Sequence, residues 1–325
     1  MAKLAALSQF IKNKSTSISK SLLVLTTLGS IGFIYMLINS FVGENNQISH
    51  VNSTIPANAC VYQKINSICS DRKFDFAGED LPVYDIDVKE RLDREVLINT
   101  YWQSNTLLSL KLADKYFPII EPILKQKNIP DDFKYLALIE SGLRDVVSPA
   151  GAAGKWQIMK ETGKNYGLEI NDDVDERYHL EKATYLACRY FQQAYDTFGS
   201  WTAAAASFNI GIAGLKNRLK EQRVTNFYDL WLNSETSRYV FRIVAMKEVY
   251  KYPKAFGYYY EKSESYKPEE YDMATIFEPT DLIEYAACYN MKYKELRALN
   301  PWLRSYKLPN KNGRLYDLKI KKRAA

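Results

Sequence analysis

Apolar and polar positions alternate along this chain with three different textures. From Ser21 to Val42 there is no charge at all, and Leu, Ile, Val, Phe and Met dominate. As a helix this run would span roughly 33 Å, enough to cross a bilayer. From Leu81 to about residue 262 the apolar residues recur at helical spacing instead. Val88, Leu92 and Val96 fall every fourth residue, and the pattern continues through Leu107, Leu110 and Leu112 before Pro118. Further helices are expected at Tyr116–Gln126, Leu180–Phe198 (stopped by Gly199), Trp201–Asn209 and Glu235–Tyr252 (closed by Pro253). The tail reads strand, helix, helix, strand over Tyr271–Phe277, Thr280–Tyr289, Tyr293–Leu299 and Leu315–Ile320.

The fold class expected is therefore mainly α, with a single membrane helix ahead of a helical domain and a small βααβ module behind it. The boundaries read as a cytoplasmic tail at 1–20, an anchor at 21–42, a polar tether at 43–80, the main domain at 81–262 and the C-terminal module at 263–325. Lysines 3, 12, 14 and 20 precede the apolar run with no acidic residue among them, which leaves the N-terminus inside and the rest outside. A cleaved signal peptide is the rival; no Ala-x-Ala site directly follows the run, which favours an uncleaved anchor.

One stretch carries chemistry. Phe133, Leu136, Ala137 and Glu140 fall at i, i+3, i+4 and i+7, one face of a helix begun near Pro130 and stopped by Gly142. A carboxylate thus stands at a core position near a helix C-terminus. Desolvation and the helix dipole both favour its protonated form, as a general acid requires. The rival role is a partly buried glutamate satisfied by Ser141 or an arginine.

Composition narrows the chemistry. The net charge of +6 over 325 residues suits an anionic polymer or surface but lacks the dense basic stripe of a nucleic-acid binder. With only His50 and His179, and no phosphate-cradling loop, neither a metal site nor a Ser-His-Asp triad nor a cofactor is expected. Cys60 and Cys69 are near enough in sequence to pair in an oxidising compartment, whereas Cys188 and Cys288 are expected as buried free thiols.

Four short motifs follow in order: Glu140-Ser141-Gly142, Gly154-Lys155-Trp156-Gln157, Ser207-Phe208-Asn209-Ile210-Gly211 and Glu235-Thr236-Ser237-Arg238-Tyr239-Val240. Together, over about residues 83–255, they resemble the soluble-lytic-transglycosylase family with a goose-type-lysozyme-like fold, of the membrane-bound murein transglycosylase type. Lys155 stands where that pattern has Leu, and Ser207, Phe208 and Ile210 also depart from it. The resemblance implies Glu140 as sole catalytic acid and base, with Ser141 bonding near it. It implies Gln157, Asn209 and Tyr239 as substrate-binding residues. Trp156 is either a sugar platform or core, and Glu235 holds a structural position.

The implied reaction cleaves the β-1,4 bond from N-acetylmuramic acid to N-acetylglucosamine in peptidoglycan, leaving a 1,6-anhydro end, with no metal or other cofactor. The alternatives are a lysozyme-like hydrolase and a catalytically idle wall-binding scaffold. The partners implied are peptidoglycan strands and the cytoplasmic membrane, with the catalytic domain on the periplasmic side. The tail resembles a degenerate LysM module through Thr280-Asp281-Leu282, Tyr285-Ala286 and Leu299-Asn300-Pro301; the Gly-Asp and final Ile-Pro of that pattern are missing.

Overall fold

The computed structural model describes residues 72–311 and 313–322. The apolar run 21–42, most of the tether, Cys60 and Cys69 lie outside the described residues. Among the described residues no helix is long and apolar enough to cross a membrane.

The described chain opens with a hairpin, β1 (Asp75–Phe76) and β2 (Glu79–Asp80), turned on Ala77 and Gly78, both with positive φ. Two successive positive-φ residues make the turn whose twist matches a hairpin. Residues 72–80, expected as the end of a tether, are instead tied to the body. Phe76 is wholly buried against Phe133, with ring centroids 5.2 Å apart.

The helical body follows: α1 (Ile86–Tyr101), α2 (Gln103–Gln126), α3 (Lys134–Ser141), α4 (Lys160–Asn165), α5 (Leu180–Phe198), α6 (Trp201–Ile210), α7 (Ile212–Gln222) and α8 (Ser234–Lys251). Helix α2 runs unbroken from Gln103 to Gln126, where a separate helix starting at Tyr116 was expected, and it passes through Pro118 and Pro122. Its buried face, Leu110, Ala113, Phe117, Ile120 and Leu124, continues past both prolines. Burial of that stripe outweighs the roughly 3 kcal/mol that an interior proline costs. The break falls earlier, at Trp102, whose ψ of 57° ends α1 before α2 begins. Ala203–Ala206 of α6 are all buried, which lets α6 pack closely among α5, α7 and α8.

The C-terminal module comprises β3 (Tyr271–Ile276), β4 (Thr280–Asp281), α9 (Leu282–Cys288), α10 (Tyr293–Leu299), β5 (Lys307–Leu308) and β6 (Tyr316–Lys321). Strands β3 and β6 pair antiparallel from Tyr271↔Lys321 to Ile276↔Tyr316, as the alternation predicts. Asn300 ties α10 to β6, its amide donating to the Lys319 carbonyl at 2.7 Å. Cys188 is buried, its thiol pushed up to about 12 by desolvation. Cys288 is exposed, contrary to expectation, because it ends a helix whose buried positions are Leu282 and Ala286.

The module shares a core with the helical body: Ala153, Val174 and Tyr178 cluster with Leu282, Leu296, Leu303 and Leu318. Backbone bonds cross the same seam, Asp175 N–H donating to Trp302 O at 2.8 Å and Arg304 N–H to Asp173 O at 2.7 Å. Loop 151–158 lies beneath it. There Gly154 has φ +78°, and a Cβ would stand 2.1 Å from the Arg177 carbonyl oxygen.

Two predictions follow from this packing. Gly154→Ala should lose at least about 2 kcal/mol in urea unfolding, from the clash and the left-handed backbone together; a loss under 0.5 would show the loop yields freely. Removing residues 263–325 uncovers Val174 and Tyr178 and should lower the melting temperature of the helical body by roughly 5–10 °C. An unchanged transition in calorimetry would mean the seam contributes no stability.

Candidate active site

Glu140 occupies the last turn of α3, and Gly142 ends that helix in the left-handed conformation at φ +61°. The apolar residues around it, Leu136, Ala137 and Leu138, are buried, which anchors the helix and leaves Glu140 half-buried at its end. Tyr239 enters from α8. It is wholly enclosed, and its hydroxyl donates to Glu140 Oε1 at 2.5 Å.

Burial pushes the Glu140 carboxyl above the ordinary carboxylate range, with the Glu235 charge adding to it. The Tyr239 hydrogen bond and the Arg242 guanidinium pull the other way and do not overcome it. Desolvation, then the neighbouring Glu140, holds the Tyr239 phenol well above its usual value. The pair therefore combines a carboxyl disposed to keep its proton with a phenol that never gives up its own.

Glu140 opens onto a cleft of about 490 Å³. Helix α8 supplies Glu235, Arg238, Arg242 and Met246, which share a face with Tyr239 at helical spacing. Glu95, Asn99, Trp102 and Asn105 line it as well, together with Gly142 and Arg144. Glu95 is held by Arg238 through both carboxylate oxygens. Glu235 is exposed, so a second carboxylate faces the same cleft.

The remaining expected site residues take positions of three kinds. Ser141 lines the cleft, but its hydroxyl donates to the Lys155 carbonyl at 2.8 Å and so joins α3 to loop 151–158. Gln157 has φ +48°, and its amide donates to Val146 O at 3.0 Å and Gly154 O at 2.8 Å. Asn209 accepts from Thr236 Oγ1 at 2.8 Å and donates to Glu235 Oε1 at 3.4 Å, linking α6 to the start of α8. Neither Gln157 nor Asn209 is among the residues lining the cleft. Gln157 ties backbone of its own loop and residue 146, and Asn209 ties side chains of α8.

Trp156 is core. It is completely buried among Phe191 and Phe208, and its indole N–H donates to Thr184 Oγ1 at 2.9 Å. A sugar platform needs an open ring face, and this ring has none. Lys155, the departure from the family pattern, turns away from the cleft. Its ammonium sits 2.8 Å from both Asp145 oxygens and 4.5 Å from the Tyr116 ring centroid. Burial holds its pKa below the usual lysine range.

Trp102, Arg144 and Arg242 are cleft residues that the sequence reading passed over. The signal for Arg242 was present, since it lies three residues beyond Tyr239 on the same helical face. Nothing in sequence marks Trp102, which reaches the cleft through the α1–α2 break. Among the described residues no group of three or more His, Cys, Asp or Glu is placed to hold a metal ion.

Comparison with known proteins agrees with this architecture. Residues 117–230 match the transglycosylase SLT domain, and residues 275–324 match the soluble lytic transglycosylase C-terminal LysM-like domain. The chain thus carries an SLT transglycosylase domain followed by a LysM-like C-terminal domain.

It is 31% identical over 151 residues to membrane-bound lytic murein transglycosylase D of Escherichia coli K12, a match covering 45% of this chain and 33% of that protein. The chain spans about a third of the length of the curated relatives it matches. Among solved structures it resembles the 70 kDa soluble lytic transglycosylase of Escherichia coli, with 25% identity, TM-score 0.37, and 43% and 24% of the two chains covered. It also resembles lytic transglycosylase Slt of Pseudomonas aeruginosa, with 18% identity, TM-score 0.34, and 48% and 27% covered.

A carboxyl whose folded pKa is raised contributes stability at low pH that is lost as pH rises through that pKa. Glu140→Gln removes this titration. Its stability relative to the parent should therefore rise between about pH 4 and pH 8 in urea unfolding; a difference that stays constant with pH would place Glu140 in an unperturbed environment.

Proposed function

We propose that this chain is a peptidoglycan lytic transglycosylase with Glu140 as its single acid and base. The observation that carries the reading is the Glu140–Tyr239 pair: a desolvated carboxyl, oriented by an enclosed phenol, lining an open cleft. The SLT domain match and the name of the curated relative support the substrate class.

In this reading Glu140 donates its proton to the oxygen between N-acetylmuramic acid and N-acetylglucosamine. The acetamido group of the substrate stabilises the oxocarbenium-like centre in place of an enzyme nucleophile. Glu140, now a carboxylate, takes the proton from the muramic 6-hydroxyl as that oxygen closes the 1,6-anhydro ring. The ring closure is intramolecular, so no water is consumed. Tyr239 holds the carboxyl in place through both transfers. Ser141 and Gln157 act by fixing backbone near it, Asn209 by holding the Glu235 and Thr236 side chains, while Arg242 steadies the carboxylate that forms.

The wider setting belongs to the same proposal. The helical body is lysozyme-like and spans residues 81–262, the module from 263 onward is LysM-like, and residues 21–42 anchor the chain with its catalytic part on the periplasmic side. A hydrolase is the second reading, favoured by one feature: exposed Glu235 faces the same cleft and could serve as the base for a water.

Incubating the full chain with purified murein and weighing the released muropeptides separates the readings. Anhydro products, lighter by one water, are expected, and Glu140→Gln should reduce their release by about a thousandfold or more. Hydrated products would establish the hydrolase. No release from the parent, or full release from the variant, would overturn the assignment.

A further inference from the structure

We propose that Trp102 and Arg144 form a subsite of the Glu140 cleft for a carboxylate-bearing sugar unit, the indole taking the sugar face and the guanidinium the carboxylate. This rests on the glycan-cleaving reading above and specifies what lies beside the cleaved bond.

Trp102 is 59% exposed, yet it stands on rigid backbone. Its N–H donates to Ile98 O at 2.9 Å to close α1, and its carbonyl accepts from Thr106 N–H at 3.0 Å to open α2. A large indole fixed at a helix junction, facing a polar cleft with Asn99 and Asn105 beside it, is a surface for a flat apolar face bordered by hydroxyls. These residues precede residue 117, where the SLT domain match begins.

Arg144 reaches the cleft by a strained route. Gly142 and Leu143 are both left-handed, at φ +61° and +58°, and Leu143 is buried, which pins the turn. A non-glycine residue held there costs on the order of 1 kcal/mol, and such strain concentrates where a side chain must be aimed. The turn folds the guanidinium back over Gly142, where a Cβ would lie 3.3 Å from both Nε and Nη2. Nε donates to Ser141 O at 3.1 Å, and Nη2 donates to Asn105 Oδ1 at 3.4 Å.

Among the described residues no carboxylate pairs with Arg144, whereas Arg238 in the same cleft is matched by Glu95. A pre-positioned guanidinium with its charge uncompensated is a receptor for a planar anion. Two sources in peptidoglycan supply one: the carboxylates of the peptide stem, or the lactyl carboxylate of muramic acid once the stem is removed.

The test measures binding by calorimetry in the full-length Glu140→Gln chain, so that turnover does not interfere. Three ligands are compared: peptide-bearing glycan, amidase-stripped glycan with free lactyl carboxylates, and chitooligosaccharide with neither. Adding Arg144→Ala should lower the preference for a carboxylate-bearing ligand over chitooligosaccharide about tenfold, and Arg144→Lys should recover part of it. Whichever of the two ligands loses more identifies the source. Adding Trp102→Ala should weaken all three about fivefold, with Trp102→Phe intermediate. A preference unmoved by Arg144→Ala, or affinities unmoved by Trp102→Ala, would overturn the subsite while leaving the glycan reading intact. Failure of the Glu140→Gln parent to bind any of the three would remove both.

Discussion

Tyr239 has no contact with solvent, and its hydroxyl reaches one carboxyl, that of Glu140. Neither group is comfortable charged in that position: burial alone raises both pKa values. Their hydrogen bond satisfies two buried polar groups at once and fixes the orientation of the acid. Everything proposed for this cleft depends on that contact, because a carboxyl free to rotate into water would behave as an ordinary glutamate.

Much of the surrounding chain can be understood as holding α3 and α8 at the separation this contact needs. Lys247 of α8, almost completely buried, donates to Asp132 at 2.6 Å just ahead of α3 and to Asp75 at 2.8 Å in the hairpin. Loss of one member of such a buried set leaves a charge without its partner, which costs about 3–5 kcal/mol. The hairpin reaches α6 as well, where Glu79 accepts from the backbone N–H groups of Trp201 and Thr202 and from the Ser200 hydroxyl. It thereby caps a helix N-terminus with a distant carboxylate. On the other side, Ser141 binds α3 to loop 151–158, Gln157 ties that loop to Val146, and the C-terminal module packs on the loop through Ala153. The LysM-like module is therefore also part of the packing around loop 151–158, to which α3 is joined.

The acid, its helix and the glycine that ends it were legible in the sequence because periodicity and capping are local effects. Glu140 shared a helical face with Phe133, Leu136 and Ala137, and Gly142 was the only residue nearby suited to a left-handed stop. What a side chain does at the end of its reach was not legible. Trp156 beside Gln157 reads equally as platform or core, and the choice was made by Phe191, Phe208 and Thr184 from other helices. Gln157 and Asn209 were expected to bind substrate, but their amides bond backbone and neighbouring side chains across distances no spacing encodes. Helix α2 passed through Pro118 because tertiary burial overrode a local breaker. The break at Trp102 has no glycine or proline to announce it.

The most direct measurement is the titration of the Glu140 carboxyl itself, followed by ¹³C NMR of the labelled side chain in the intact protein. A desolvated acid disposed to donate predicts a midpoint above the ordinary glutamate value of 4.5, moving further upward in Tyr239→Phe as the hydrogen bond that favours the anion is lost. A midpoint at or below 4.5, unmoved by that substitution, would contradict it.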